Sequence, residues 1–130
     1  MSFFLASTPI LKLSLRNHFA GVTYPSKGHL QAIVDTGYDG FLALPESVFL
    51  SLELHSAPRS MRSVYTADAR RIELTSSPVS AEIEGVPGEW DGMAETGPGI
   101  REVLLGARFL SRFKLTLNYC TGILRTEPCS

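Results

Sequence analysis

Long apolar runs, an excess of charge of either sign and a cysteine framework are all missing from this 130-residue chain, and each absence narrows what it can be. No stretch approaches the roughly 20 apolar residues that a membrane-spanning helix requires, so no membrane partner is expected. A formal net charge of −1 supplies no field to gather nucleic acid or an anionic surface. Only Pro58 to Arg71 is locally basic, with Arg59, Arg62, Arg70 and Arg71 set against Asp68; such a run is expected to be solvated surface. Cys120 and Cys129 have no C-x-x-C spacing, so they form neither a disulfide framework nor a metal site and read as free thiols of a reducing cytoplasm. The apolar start Phe3-Phe4-Leu5-Ala6 lacks the basic lead and the length of a signal sequence. His18, His29 and His55 are scattered without ligand spacing, and the glycines build no phosphate cradle. No G-x-S-x-G elbow exists, and neither cysteine has a histidine near it in sequence. No metal or cofactor is expected, and the chemical group left by elimination is a carboxylate.

What is present is an ordinary globular balance, 44% hydrophobic and 19% charged, in a length that suits one domain spanning residues 1–130. Leu11, Leu13 and Leu15 alternate with Lys12, Ser14 and Arg16, the period of a half-buried strand. Asn17 to Gly28, rich in turn residues, reads as a long hairpin-like connection. His29 to Val34 is the next strand and Phe41 to Leu44 a short buried one. Pro45 then opens a short helix through Leu52, with Glu46 complementing its dipole. Ser60 to Ser77 reads as a hairpin turning at Thr66-Ala67-Asp68-Ala69, without the glycine that a tight primed turn favours. Val79, Ala81 and Ile83 form another strand, Val86 to Gly88 turns, and Glu89 to Glu95 is a weak strand carrying Trp90 and, in a turn, Asp91. Val103 to Gly106 precedes a short helix with Phe109, Leu110 and Phe113 on one face, and Leu115 to Tyr119 and Ile123-Leu124 close the chain as strands. Many short strands and two short helices make an all-β domain.

Within this pattern Asp35 stands apart. An apolar strand delivers it into Asp35-Thr36-Gly37, and a second apolar run follows at once. A carboxylate between two buried strands costs desolvation free energy, so it reads either as chemistry or as an Asx-turn aspartate at a strand end. Ile33 to Gly37 has a fainter echo in Val103-Leu104-Leu105-Gly106, where an apolar strand again runs into a glycine but carries no acid. Each glycine suits a close approach of backbones.

Together, Ile33-Val34-Asp35-Thr36-Gly37, the Tyr65 to Ile72 hairpin, Leu104 to Leu110 and Leu115-Thr116-Leu117-Asn118-Tyr119 resemble the retropepsin-like aspartic proteases. The form D-T-G-Y-D-G-F-L-A-L-P followed by a helix is similar to the small single-domain members of bacteria and archaea, and the resemblance runs in order from Pro9 to Leu124. It implies a closed barrel, a flap over a cleft, and a homodimer in which Asp35 meets its symmetry mate and activates a water against a peptide bond of a peptide or protein substrate. It further implies that Thr36 and Gly37 support the active-site loop, that Tyr38, Asp39 and Tyr65 line the substrate side, and that Thr66, Ala67, Asp68 and Ala69 form the flap tip. Leu104, Leu105 and Gly106 would be the second glycine motif. The chain departs from the pattern where Tyr38 replaces a small residue, where Asp68-Ala69 stands for Asp-Gly, and where Ala107 and then Arg108 follow the glycine, leaving Arg108 as a partner for Asp39. Two classes of function follow: an aspartic endopeptidase, or an inactive binding or dimerisation module on the same fold whose cleft Tyr38 closes.

Overall fold

A computed structural model describes residues 3–129; Met1, Ser2 and Ser130 lie outside the described residues. The leucine alternation becomes β2 (Thr8–Asn17), with Leu11, Leu13 and Leu15 fully buried. It continues to Asn17, whose buried amide donates to the Leu52 carbonyl at 2.9 Å and whose Oδ1 accepts from Phe19 N at 3.0 Å. A buried amide is tolerable only when paired in this way. The apolar start is β1 (Phe3–Leu5), antiparallel to β2.

The long connection after β2 is not structureless. It holds β3 (Val22–Tyr24), which turns back on β2 in the register Leu15↔Tyr24. Next come β4 (Leu30–Val34), β5 (Leu42–Ala43) and α1 (Glu46–Ser51); Pro45, expected as the first helical residue, is instead the N-cap, and Leu52 the C-cap. A single 3-10 turn, Leu54–Ser56, leads to β6 (Ser60–Tyr65). The two strands expected between Ile72 and Ile83 are one continuous strand, β7 (Arg71–Ile83). The next turn lies at Glu84-Gly85 rather than at 86–88, so β8 (Val86–Thr96) runs without interruption through Trp90 and Asp91. Asp91 is therefore a strand residue opposite Ser80, not a turn residue. Then follow β9 (Leu104–Leu105), α2 (Ala107–Leu110), β10 (Phe113–Asn118) and β11 (Ile123–Pro128).

The main sheet has the order β1-β2-β4-β9-β5-β8-β7-β6, and an added β2–β7 pairing closes its middle six strands into a ring. Among the described residues, β10 and β11 pair only with each other. The core fills the ring and extends beneath α2, where Phe109 lies 5.1 Å from both Phe41 and Phe113, and Trp90 meets Phe113 edge-on at 4.7 Å.

The ring depends on one crowded passage. β4 runs parallel to β9 while β5 runs antiparallel to it, so Leu104 and Leu105 are sandwiched between them. A Cβ on Gly106 would sit 2.2 Å from the Gly40 carbonyl oxygen and 2.6 Å from the Tyr38 ring. Gly106→Ala should cost about 3 kcal/mol, since the clash is partly with backbone. Urea denaturation measures this, and a loss well below ~1 kcal/mol would mean that the loop yields.

Candidate active site

Asp35 leaves the end of β4, and its N–H still donates to the Leu105 carbonyl at 3.0 Å, so β9 fixes where the strand stops. The chain then turns tightly: Gly37 N donates to Asp35 Oδ1 at 3.0 Å and Tyr38 N to the Asp35 carbonyl at 3.2 Å. This is an Asx turn, and it leaves Asp35 Oδ2 uncommitted. Asp35 is half-buried, Thr36 and Gly37 are exposed, and among the described residues no cation pairs with Asp35 and nothing bonds the Thr36 hydroxyl. Continuing the register Ile33↔Leu104 and Val34↔Leu105 puts Gly106 across from Asp35. The echo in the sequence is thus a physical pairing, with a carboxylate on one side only.

Tyr38 does not lie over this turn. Its half-buried ring packs against Gly106, and its hydroxyl donates to Glu95 Oε1 at 2.5 Å. Burial first, and then this bond to a carboxylate, raise the phenol well above its ordinary range, so it remains a donor. Gly40 makes room: a Cβ there would fall 2.3 Å from the Tyr38 hydroxyl.

Glu95, in β8, is only 4% exposed. Its charge is met by Arg62 of β6, which donates from Nε to Oε2 at 2.6 Å and from Nη2 to Oε1 at 2.7 Å. The far edge of the same guanidinium holds Asp39, Nη2 to Oδ1 at 2.9 Å and Nη1 to Oδ2 at 3.4 Å. One arginine therefore grips two carboxylates, each with two nitrogens. The bonds to Glu95 and then Asp39 raise the arginine further above its usual value, and those from Arg62 hold Asp39 below the ordinary carboxylate range. The partner expected for Asp39, Arg108, makes no hydrogen bond to it and adds only a weak long-range attraction. A cavity of about 320 Å³ beside the network is walled by Arg62, Glu95, Arg108 and Arg112 among others, but not by Asp35, Thr36 or Gly37.

The β6–β7 tip turns at Thr66 to Arg70: Thr66 N donates to the Arg70 carbonyl at 2.8 Å and Ala69 N to that of Thr66 at 2.9 Å. The Thr66 hydroxyl donates to Asp68, which lowers that carboxyl, and Asp68 also meets Arg70 at 3.2 Å. Ala69 adopts φ +64°, where glycine would be unstrained. Tyr65 is 74% exposed and stands on the face of β6 opposite Arg62 and Val64.

Sequence reading missed Arg62 and Glu95. The sequence offers only that Arg62 shares its strand face with Val64; the burial of Glu95 with Ala94 and Thr96 shows only in the fold. It also missed that the fold brings ligand atoms of His18, Glu89 and Asp91 within 4.8 Å of one another. These groups are exposed, with His18 Nε2 at 2.6 Å from Glu89 and the Ser80 hydroxyl on Asp91 at 2.5 Å. Cys120 and Cys129 are free and exposed. No helix is long and apolar enough to cross a membrane among the described residues.

No family model matches the sequence. A protein of Archaeoglobus fulgidus described as uncharacterized is 35% identical over 126 residues, covering 97% of this chain and 98% of that one. Among solved structures, EIAV protease complexed with the inhibitor HBY-793 superposes with a TM-score of 0.55 at 17% identity, over 85% of this chain and 92% of that one. That likeness shows the fold, which is all-β and retropepsin-like.

Removing Arg62 tests the network. Arg62→Met removes the only cation bonded to buried Glu95, leaving it the Tyr38 hydroxyl alone among the described residues, and should cost about 3 kcal/mol, the low end for breaking a buried pair because the guanidinium is one-third exposed. The thermal midpoint should fall by roughly 10 °C. Asp39 is 78% exposed, so Asp39→Asn should cost under about 1 kcal/mol. Its carboxyl is lowered in the folded chain, so this share is complete above the ordinary carboxylate range and fades as pH falls through the folded value. Equal losses for the two variants would contradict the assignment of the buried charge.

Proposed function

We propose, for a chain that belongs to one family with the Archaeoglobus fulgidus protein and has the fold of a retroviral protease, that it is an aspartic endopeptidase acting as a homodimer. The observation that carries this reading is Asp35 itself: a half-buried carboxylate at a strand end, braced by Gly37 N–H, with an uncommitted oxygen and no cation beside it among the described residues. One such group cannot be base and acid at once. Two, related by a twofold axis and sharing one proton, can be. The ionised carboxyl takes a proton from a water whose oxygen attacks the peptide carbonyl carbon, and the protonated one gives its proton to the carbonyl oxygen. Collapse of the resulting diol breaks the C–N bond as a proton passes to the leaving nitrogen. The β6–β7 hairpin serves as the flap, with Thr66 to Ala69 at its tip. β10 and β11, which among the described residues form a two-stranded sheet unpaired with the main sheet and expose Leu117 and Ile123, offer surface to a second chain.

The competing reading, a binding module whose cleft is shut by Tyr38, has less support because the Tyr38 ring is turned toward Glu95. Cleavage of a peptide library by wild type beside Asp35→Asn, with oligomeric state measured on the same samples, separates the two. The expected result is cleavage that disappears in Asp35→Asn, by a factor of at least about 10³. Specific activity should also fall on dilution as dimers dissociate. Equal product from both proteins, or full activity from monomer, would sink the proposal.

Its pH dependence follows from the shared proton. A dyad that works with one carboxyl protonated loses rate once both ionise, so kcat/KM should decline from acid toward neutral pH. A rate that climbs steadily through neutral pH would point to another base.

A further inference from the structure

We propose that Arg62 is a positioning residue that couples the flap hairpin to the Asp35-Thr36-Gly37 loop; this deepens the peptidase reading above and rests on it. Arg62 lies in the ascending arm of the hairpin, opposite Leu74 and four residues before the tip. Asp39 lies four residues after Asp35 and follows Tyr38, whose N–H caps the Asp35 carbonyl at 3.2 Å. Among the described residues, the Arg62 bonds to Asp39 are the only hydrogen bonds that join the β6–β7 hairpin to residues 35–41.

Glu95 makes this link more than a surface ion pair. It is anchored in β8, where it pairs with Ser76 of β7 and Ala43 of β5. There it holds the Arg62 guanidinium from below and the Tyr38 hydroxyl from the side. The guanidinium edge offered to Asp39 is thereby fixed in direction before the loop reaches it. Arm, ring of strands and loop meet on one buried carboxylate. A shift of the arm as the flap opens or closes must move Arg62 relative to Glu95 and Asp39, or carry the loop with it. Lysine cannot substitute, because a single ammonium does not present two edges to two carboxylates.

The test compares wild type, Arg62→Met, Arg62→Met/Glu95→Gln and Arg62→Lys. The double variant removes the orphaned charge while the side-chain amide that replaces Glu95 still accepts from Tyr38, so its melting temperature should return to within a few degrees of wild type. If Arg62 were only structural, everything else would return as well. If it positions the loop, amide exchange at residues 37–41 and 66–70 stays at least about tenfold faster than wild type in both segments together, and kcat/KM stays at least about tenfold down, mainly in kcat. Wild-type exchange in either segment of the double variant overturns the proposal. Arg62→Lys keeps a charge beside Glu95 and decides the matter if the double variant does not fold: a rise of at least about threefold in both segments supports coupling, and no rise refutes it. If wild type cleaves no peptide, the peptidase reading fails, while the exchange measurements still decide the coupling.

Discussion

Between the carbonyl of Gly40 and the ring of Tyr38 there is no space for a Cβ, and Gly106 passes through that gap. This contact sets the distance between β9 and the loop that follows Asp35. Because Gly106 fits, its N–H donates to the Phe41 carbonyl at 3.1 Å, Ala107 N to Tyr38 O at 2.8 Å and Arg108 N to Gly40 O at 3.0 Å. Three successive amides thus hold the loop from beneath. On the other side β4 pairs with β9 in parallel and delivers Asp35 at the edge of the same passage. A carboxylate needs no strong bond of its own to be well placed when the backbone around it is this constrained.

The same crowding explains why a large residue stands after Gly37. Tyr38 is accommodated inward because Gly40 and Gly106 both lack side chains, and its hydroxyl finds Glu95. A buried glutamate is costly unless fully satisfied. Here it receives three hydrogen bonds, one from a phenol that burial keeps protonated and two from Arg62. Such an arrangement contributes less to net stability than to uniqueness: few other packings could satisfy Tyr38, Asp39, Arg62 and Glu95 at once.

Much of the framework was legible because it rests on local patterns. The β2 alternation, the strand running into Asp35, Pro45 before α1 and the short helix at α2 each follow from spacing along a few residues, although α2 ends at Leu110 and Phe113, expected on its face, begins β10. The all-β class follows from their sum, and the retropepsin-like resemblance from the motifs at 33–37, 65–72, 104–110 and 115–119. What escaped depends on partners far away in sequence. β3 is three residues long and exists because β2 offers it an edge. β7 and β8 are continuous because each has pairing partners along most of its length: Ser76, Ser77 and Pro78 face Glu95, Ala94 and Met93, and Val86 already pairs with Ile83. Arg62 looked like one of four surface arginines, since Asp39 is 23 residues away and Glu95 is 33. His18 and Glu89, 71 residues apart, could not be joined by any spacing rule.

Parallel pairing of β4 with β9 sharpens what the single carboxylate means. In the register shown, the position opposite Asp35 is Gly106, and that site has no room even for a methyl group. The second carboxylate of a dyad cannot be restored within the chain by substituting the echo motif, because the passage that holds Asp35 requires a glycine there. If Asp35 is half of a dyad, the constraint that holds the loop in place is the one that keeps the second carboxylate out of the chain. On the aspartic peptidase reading, a second chain is the only source of the missing group that leaves the passage intact. Dimerisation and loop geometry then become one requirement, with the same glycine behind both.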